Sequence, residues 1–140
     1  MFVTVWIGIL EISTGILTAA NAGHEYPIIK NPDGRFELLK DKHDFVVGGM
    51  DGIKYHEYQL NLQSGFKLFL YTDGIPEASD VDNNMFGLDR LIDALNIDPD
   101  GEPDEIIGNV AEAVSGFVKE AEQFDDLTML CFEYKGNQKE

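Results

Sequence analysis

The opening run MFVTVWIGIL constrains this chain more than any other stretch, because it must be either exported, inserted in a membrane or folded into a sheet. A secretory signal needs a basic start and an unbroken apolar core. Neither is present: Lys30 is the first Lys or Arg, Glu11 interrupts the apolar stretch, and Ser13-Thr14-Gly15 supplies a turn. Phe2 to Leu10 is too short to cross a bilayer as a helix, which takes about 20 residues. Its β-branched and aromatic residues, Val3, Thr4, Val5, Trp6, Ile7 and Ile9, suit a strand buried on both faces. ILTAANAG after the turn then returns as the second strand of a hairpin.

The rest reads as short strands followed by helices. YPIIK and RFELL flank NPDG, with Pro at the second place and Gly at the fourth, a second hairpin. VVGGMDG is glycine-rich and carries no clear element; IKYHEYQL alternates as a strand, and FKLFLYT is a short apolar strand ending at Asp73. In FGLDRLIDAL, Leu88, Leu91, Ile92 and Leu95 recur at helical spacing. A further helix opens at Pro103 with Asp104 and Glu105 beside its N-terminus, and its apolar face runs through Ile106, Val110, Val114 and Phe117. FDDLT leads into a last strand, Leu127 to Tyr134, and 135–140 is a disordered tail. Five or six antiparallel strands, two helices and a final strand make an α+β layered domain spanning 1–134.

Charge narrows the partners. Ten Lys and Arg against 26 Asp and Glu give a net charge of −16. Such a surface repels nucleic acid and anionic lipid, so neither a nucleic acid nor a membrane is expected as a partner. Cys131 is the single cysteine and sits in the apolar run LTMLCFEY, which predicts an inert thiol, no disulfide and a cytoplasmic setting.

Two acidic positions stand out. Of four Asp-Gly pairs, only Asp73-Gly74 directly follows an apolar strand, where the glycine leaves room at the strand end. Asp125-Asp126, the one Asp-Asp pair, precedes another buried strand. If those two strands are antiparallel neighbours, Asp73 and Asp125 share one sheet edge, where a hard divalent cation would relieve their repulsion. An ordinary turn aspartate and a solvated acidic loop explain the same residues without a metal. DVDNNMFG has the first ligand spacing of a calcium loop, but Met85 and Leu91 replace its required glycine and glutamate, which leaves a flexible polar flap. His24, just past a strand and beside Tyr26 and Pro27, is expected to anchor a turn rather than to serve as a general acid. His43 and His56 have no chemical company in the sequence.

Taken together and in order, MFVTVWIGILEISTGILTAANAGHEYPIIK, LYTDGIPEAS, MFGLDRL and FDDLTML resemble the PPM-type, SpoIIE-like protein serine phosphatases, the group that contains RsbU. The resemblance implies an αββα sandwich of antiparallel sheets flanked by helices, here N-terminally incomplete. It implies a metal-dependent phosphatase with a two-ion Mn2+ or Mg2+ site, in which activated water attacks a phosphoserine or phosphothreonine directly. By the same resemblance Asp73 and Asp125 are metal ligands, with Gly74 and Asp126 beside them. Glu77 and Asn84 fall in a substrate flap. A phosphorylated STAS-type regulatory protein, an anti-sigma-factor antagonist, is the implied substrate, and a sensor domain upstream is the implied neighbour. The family's bridging aspartate and a further acidic ligand belong to segments that match nothing in this chain. Two expectations follow: a metal site that is incomplete and weakly active or inactive, and exposed strand edges that favour a homodimer. The alternative is an inactive partner-binding module on the same scaffold.

Overall fold

A computed structural model describes residues 2–121 and 127–136. The apolar opening forms β1 (Val5–Glu11), which turns through Ile12–Gly15 and returns as β2 (Ile16–Ala22), antiparallel from Val5↔Ala22 to Glu11↔Ile16. Gly15 adopts φ +79°, and a Cβ there would lie 2.5 Å from the Leu62 carbonyl oxygen, so only glycine closes this turn without strain. The NPDG hairpin joins β3 (Ile28–Lys30) to β4 (Glu37–Leu38). Next come β5 (His43–Asp44), β6 (Glu57–Asn61) and β7 (Phe66–Tyr71), helices α1 (Gly87–Leu95) and α2 (Pro103–Val118), and β8 (Met129–Tyr134).

These strands make two sheets. In the first, β2 pairs with β1 on one side and with β5 and β6 on the other; the second runs β4-β3-β7-β8. Strict alternation along β7 decides how they stack. Phe66 and Leu68 face the first sheet and pack with Leu17, Ile29, Leu62 and Tyr134. Phe69 and Tyr71 face the other way and pack against Leu91, Leu95, Ile106, Val110 and Val114 of the helices. The described residues thus form two stacked sheets and one helix layer, and no helix among them is long and apolar enough to cross a membrane. Two buried lysines, directly opposite one another on β3 and β7, hold the helix layer down. Lys30 Nζ reaches Asp100 Oδ1 at 3.1 Å, and Lys67 Nζ donates to the Pro99 carbonyl at 2.9 Å. Both grip the loop between α1 and α2.

Three sequence expectations are corrected. β1 is not buried on both faces: Val5, Ile7 and Ile9 are exposed, since among the described residues no layer covers that side of the first sheet. The strand expected over IKYHEYQL begins only at Glu57, because the His56 amide donates to Asp44 Oδ2 at 2.7 Å instead of joining a ladder. The sheets are not wholly antiparallel either, since β5 runs parallel to β2 at Asn21↔His43 and Ala22↔Asp44. The expected tail falls largely on 137–140, outside the described residues.

Candidate phosphatase site at the end of two strands

β7 and β8 pair antiparallel through six residues, from Phe66↔Tyr134 to Tyr71↔Met129. One further bond, Thr72 N–H to the Thr128 carbonyl at 3.1 Å, extends the ladder to the point where the chain must turn. Asp73 follows immediately and is exposed, whereas Gly74 and Ile75 behind it are buried. The turn is held by Ile75 N–H to Thr72 O at 3.2 Å and Glu77 N–H to Asp73 O at 3.0 Å. Asp73 is therefore a carboxylate mounted on a rigid strand end. The antiparallel pairing brings Leu127 and Thr128 to the same end; Asp125 and Asp126 lie outside the described residues.

Tyr71 lies just inside this end. Its hydroxyl is buried and has no hydrogen-bond partner among the described residues. Burial, and secondarily the negative charge of Glu25, pushes its ionisation well above the ordinary phenol value.

The flap after Asp73 is a closed loop. Asp80 Oδ1 accepts from the amides of Asp82 and Asn84, both at 2.9 Å, and Asn84 Nδ2 reaches Asp80 Oδ2 at 3.2 Å. Those backbone and side-chain donors, led by the Asn84 amide, hold the Asp80 carboxyl below its usual range. Bonds from Phe86 N–H to Ala78 O and from Gly87 N–H to Pro76 O return the loop to the start of α1. Glu77 and Asn84 are both exposed on this segment.

His24 belongs to a different cluster, at the end of β2. Its amide donates to Asn21 Oδ1 at 2.8 Å, and its Nδ1 lies 3.2 Å from Thr4 Oγ1. Asn21, fully buried, donates through Nδ2 to both carboxylate oxygens of Asp41, at 3.1 and 3.2 Å. Tyr58 Oη also donates to Asp41, at 2.6 Å, and accepts from Trp6 Nε1 at 3.0 Å. Burial, then the bond to Asp41, holds the Tyr58 phenol protonated well beyond its normal range. Sequence reasoning missed this network, because Asp41 is one of 26 acidic residues with no spacing to mark it. The two histidines without company in the sequence acquire it in the fold: His43 Nδ1 lies 3.2 Å from Asp41 Oδ1, and His56 Nδ1 lies 2.9 Å from Asp44 Oδ1.

Among the described residues no group of three or more His, Cys, Asp or Glu converges to hold an ion. Asp73 alone does not hold two ions, so the described residues do not by themselves fit a two-ion centre.

The fold has parallels among known proteins. The family model of Stage II sporulation protein E (SpoIIE) matches residues 1–135. Protein IcfG of Synechocystis sp. is 33% identical over 131 residues, covering 94% of this chain and 20% of that protein. The PP2C phosphatase domain with a regulatory fragment of SpoIIE from Bacillus subtilis superposes with a TM-score of 0.73 at 19% identity, covering 96% of this chain and 39% of the other. The SiaA-PP2C domain of Pseudomonas aeruginosa gives 0.71 at 21% identity, with 86% and 46% covered. The chain thus spans a fifth of the curated relative and less than half of either solved chain. Its two stacked sheets with helices on one side are a large part of the PP2C phosphatase fold, and the chain belongs to the SpoIIE family.

Proposed function

We propose that this chain is part of a metal-dependent protein serine/threonine phosphatase domain, with Asp73 and Asp125 as ligands to Mn2+ or Mg2+. The observation that supports the reading is the antiparallel pairing of β7 with β8, which sets Asp73 and Leu127 at the same end of the sheet. Two motifs 52 positions apart in the chain, Asp73 and Asp125, are far apart for any purpose except one that the sheet supplies. Family membership supports the reaction class. Gly74 keeps the strand end compact behind Asp73, Asp126 adds negative charge beside Asp125, and the Asp80-closed flap carrying Glu77 and Asn84 borders the substrate. His24 acts by anchoring its turn through Asn21 and Thr4.

The substrate in this reading is a phosphoserine on a regulatory protein of the anti-sigma-factor-antagonist, STAS-domain type, met in the cytoplasm. A sensor domain elsewhere in the protein governs the encounter. Because the bridging aspartate and a further acidic ligand that the resemblance implies match nothing in the 140 residues, this reading expects weak turnover or none from them alone.

The test is hydrolysis of a phosphoserine peptide during a Mn2+ titration, with Asp73→Asn as the control. Slow metal-dependent turnover that disappears in Asp73→Asn supports the reading. Turnover that survives the substitution undiminished removes Asp73 from the site. No turnover, with Mn2+ still bound through Asp73, favours a module that binds a partner without hydrolysing it.

A further inference from the structure

The helix layer carries a cleft that the phosphatase reading does not use. α1 and α2 meet through Phe86 and Phe117, whose rings stand edge to face with centroids 5.6 Å apart. Beside them an open cleft of about 310 Å³ is lined by Arg90, Asp93, Ala94, Ile97 and Ala113. Ala94 is buried and Ala113 partly so, which keeps the cleft apolar, while Ile97 stands 67% exposed at its side. Arg90 does not fill it. Its Nη1 donates to the Met85 and Phe86 carbonyls, both at 3.0 Å, and its guanidinium lies 4.5 Å from the centre of the Phe117 ring.

The surroundings are acidic out of proportion to the rest of the chain. From Glu77 to Glu120, twelve Asp and Glu stand against Arg90 and Lys119 alone. Asp93 lines the cleft, and Asp89 and Glu112 are exposed on the same two helices. One residue there has no packing reason. Gly116 lies inside α2 next to Phe117, is exposed, and would meet nothing within 4 Å if it carried a Cβ. Glycine is a poor helix former, and nothing among the described residues asks for it at this place. A second backbone approaching closely does.

We propose that this cleft receives a basic amphipathic helix of a partner protein, which seats one bulky apolar side chain against Ala94 and Ala113 and sets Lys or Arg against Asp93 and Glu112. The chemistry of the surface selects that occupant. An apolar centre with an acidic rim complements an apolar stripe flanked by cations, and the same rim repels nucleic acid and anionic lipid. It also repels a second copy of this chain, whose net charge is −16. The bare backbone at Gly116 lets the incoming helix come close. A cleft of this size takes a single anchor, so the affinity is modest and falls with salt. Neither a metal nor hydrolysis enters the proposal.

The probe is a Leu–Lys peptide of about 14 residues with its leucines on one helix face. It is titrated into the isotope-labelled chain at low and high salt, with amide and methyl shifts read by nuclear magnetic resonance. The expected result is saturable one-to-one binding, with shifts centred on Ala94, Ile97, Ala113 and Gly116 and affinity about tenfold weaker at high salt. Peptides with Ser in place of Leu, or Glu in place of Lys, should give no saturable shift there. A side chain at Gly116 starts in open space, so Gly116→Leu should keep the fold, raise the thermal midpoint and still weaken binding by about tenfold or more. Ile97→Lys, at an exposed position, should weaken it through charge and carries the test if Gly116→Leu does not fold. Asp73→Asn should bind like the unmodified chain, which separates this proposal from the phosphatase reading. Absence of saturable binding overturns the proposal, as does equal binding of the Ser–Lys peptide, which marks plain attraction to the net charge. Shifts that lie away from the cleft, or affinity indifferent to both variants, overturn it too. So does a longer form of the protein that excludes the peptide, since one of that protein's own segments then fills the cleft.

Discussion

Asp41 shows how much of this molecule depends on single side chains that no motif marks. Its carboxylate is almost fully buried, yet it receives bonds from Asn21, Tyr58 and the His43 ring, and so ties β2, β5, β6 and, through Trp6, β1 to one point. Asp41→Ala leaves the Asn21 amide and the Tyr58 hydroxyl buried without their acceptor. We expect a loss of about 3 kcal/mol in urea unfolding. Cys131 illustrates the opposite case, a group whose behaviour the sequence did foretell. Lodged in an apolar run of β8, its thiol is pushed by burial up to about 11. Relative to an ordinary cysteine it holds about a hundredfold less thiolate at neutral pH. Reaction with a disulfide reagent should be correspondingly slow in the native protein and fast in urea. Because the folded thiol keeps its proton longer than the unfolded one, the stability that this burial contributes is full below the ordinary value of 9.0 and is lost as pH rises through about 11.

At the scale of elements, local signals and sequence-distant contacts divide the outcome. Both hairpins, both helices and the last strand were legible, because each carries its own punctuation: Ser13-Thr14-Gly15, NPDG, Pro103 and the spacing Leu88-Leu91-Ile92-Leu95. β5 was not legible. Two residues long and parallel to β2, it is held by Asp41 just before it, bound to Asn21 of β2, and by Asp44 within it, bound to the His56 amide. The exposure of Val5, Ile7 and Ile9 was equally hidden, since an apolar run says that a strand is apolar and not what covers it. α2 ends in a conformation that local sequence does not favour. Lys119 caps it at φ 55°, ψ −114°, a region that side chains avoid. Lys119→Gly is expected to relieve that strain and raise stability by about 1 kcal/mol, measured as a shift in the urea midpoint without a change in slope.

Across the whole molecule, the pairing of β7 with β8 brings residues far apart in the chain, Thr72 and Thr128, side by side. The interior of β7 contributes to both cores at once, Phe66 and Leu68 to one, Phe69 and Tyr71 to the other. That double burial fixes where Asp73 emerges, and the β8 ladder fixes where Thr128 lies beside it. The sequence left open whether the strand before Asp73 and the last strand are antiparallel neighbours; the fold pairs them, while Asp125 lies outside the described residues. The His24–Asn21–Asp41 network lies on the other sheet, where the His24 amide donates to Asn21 Oδ1. The central claim is that Asp73 and Asp125 act on one cation, and direct Mn2+ binding tests it without relying on turnover. The Mn2+ electron paramagnetic resonance signal should be titrated with the chain in high salt, which suppresses nonspecific attraction to the −16 net charge. The account predicts saturable binding that weakens by at least about tenfold in Asp73→Asn and likewise in Asp125→Asn. Binding of equal strength in the unmodified chain and both variants would contradict it.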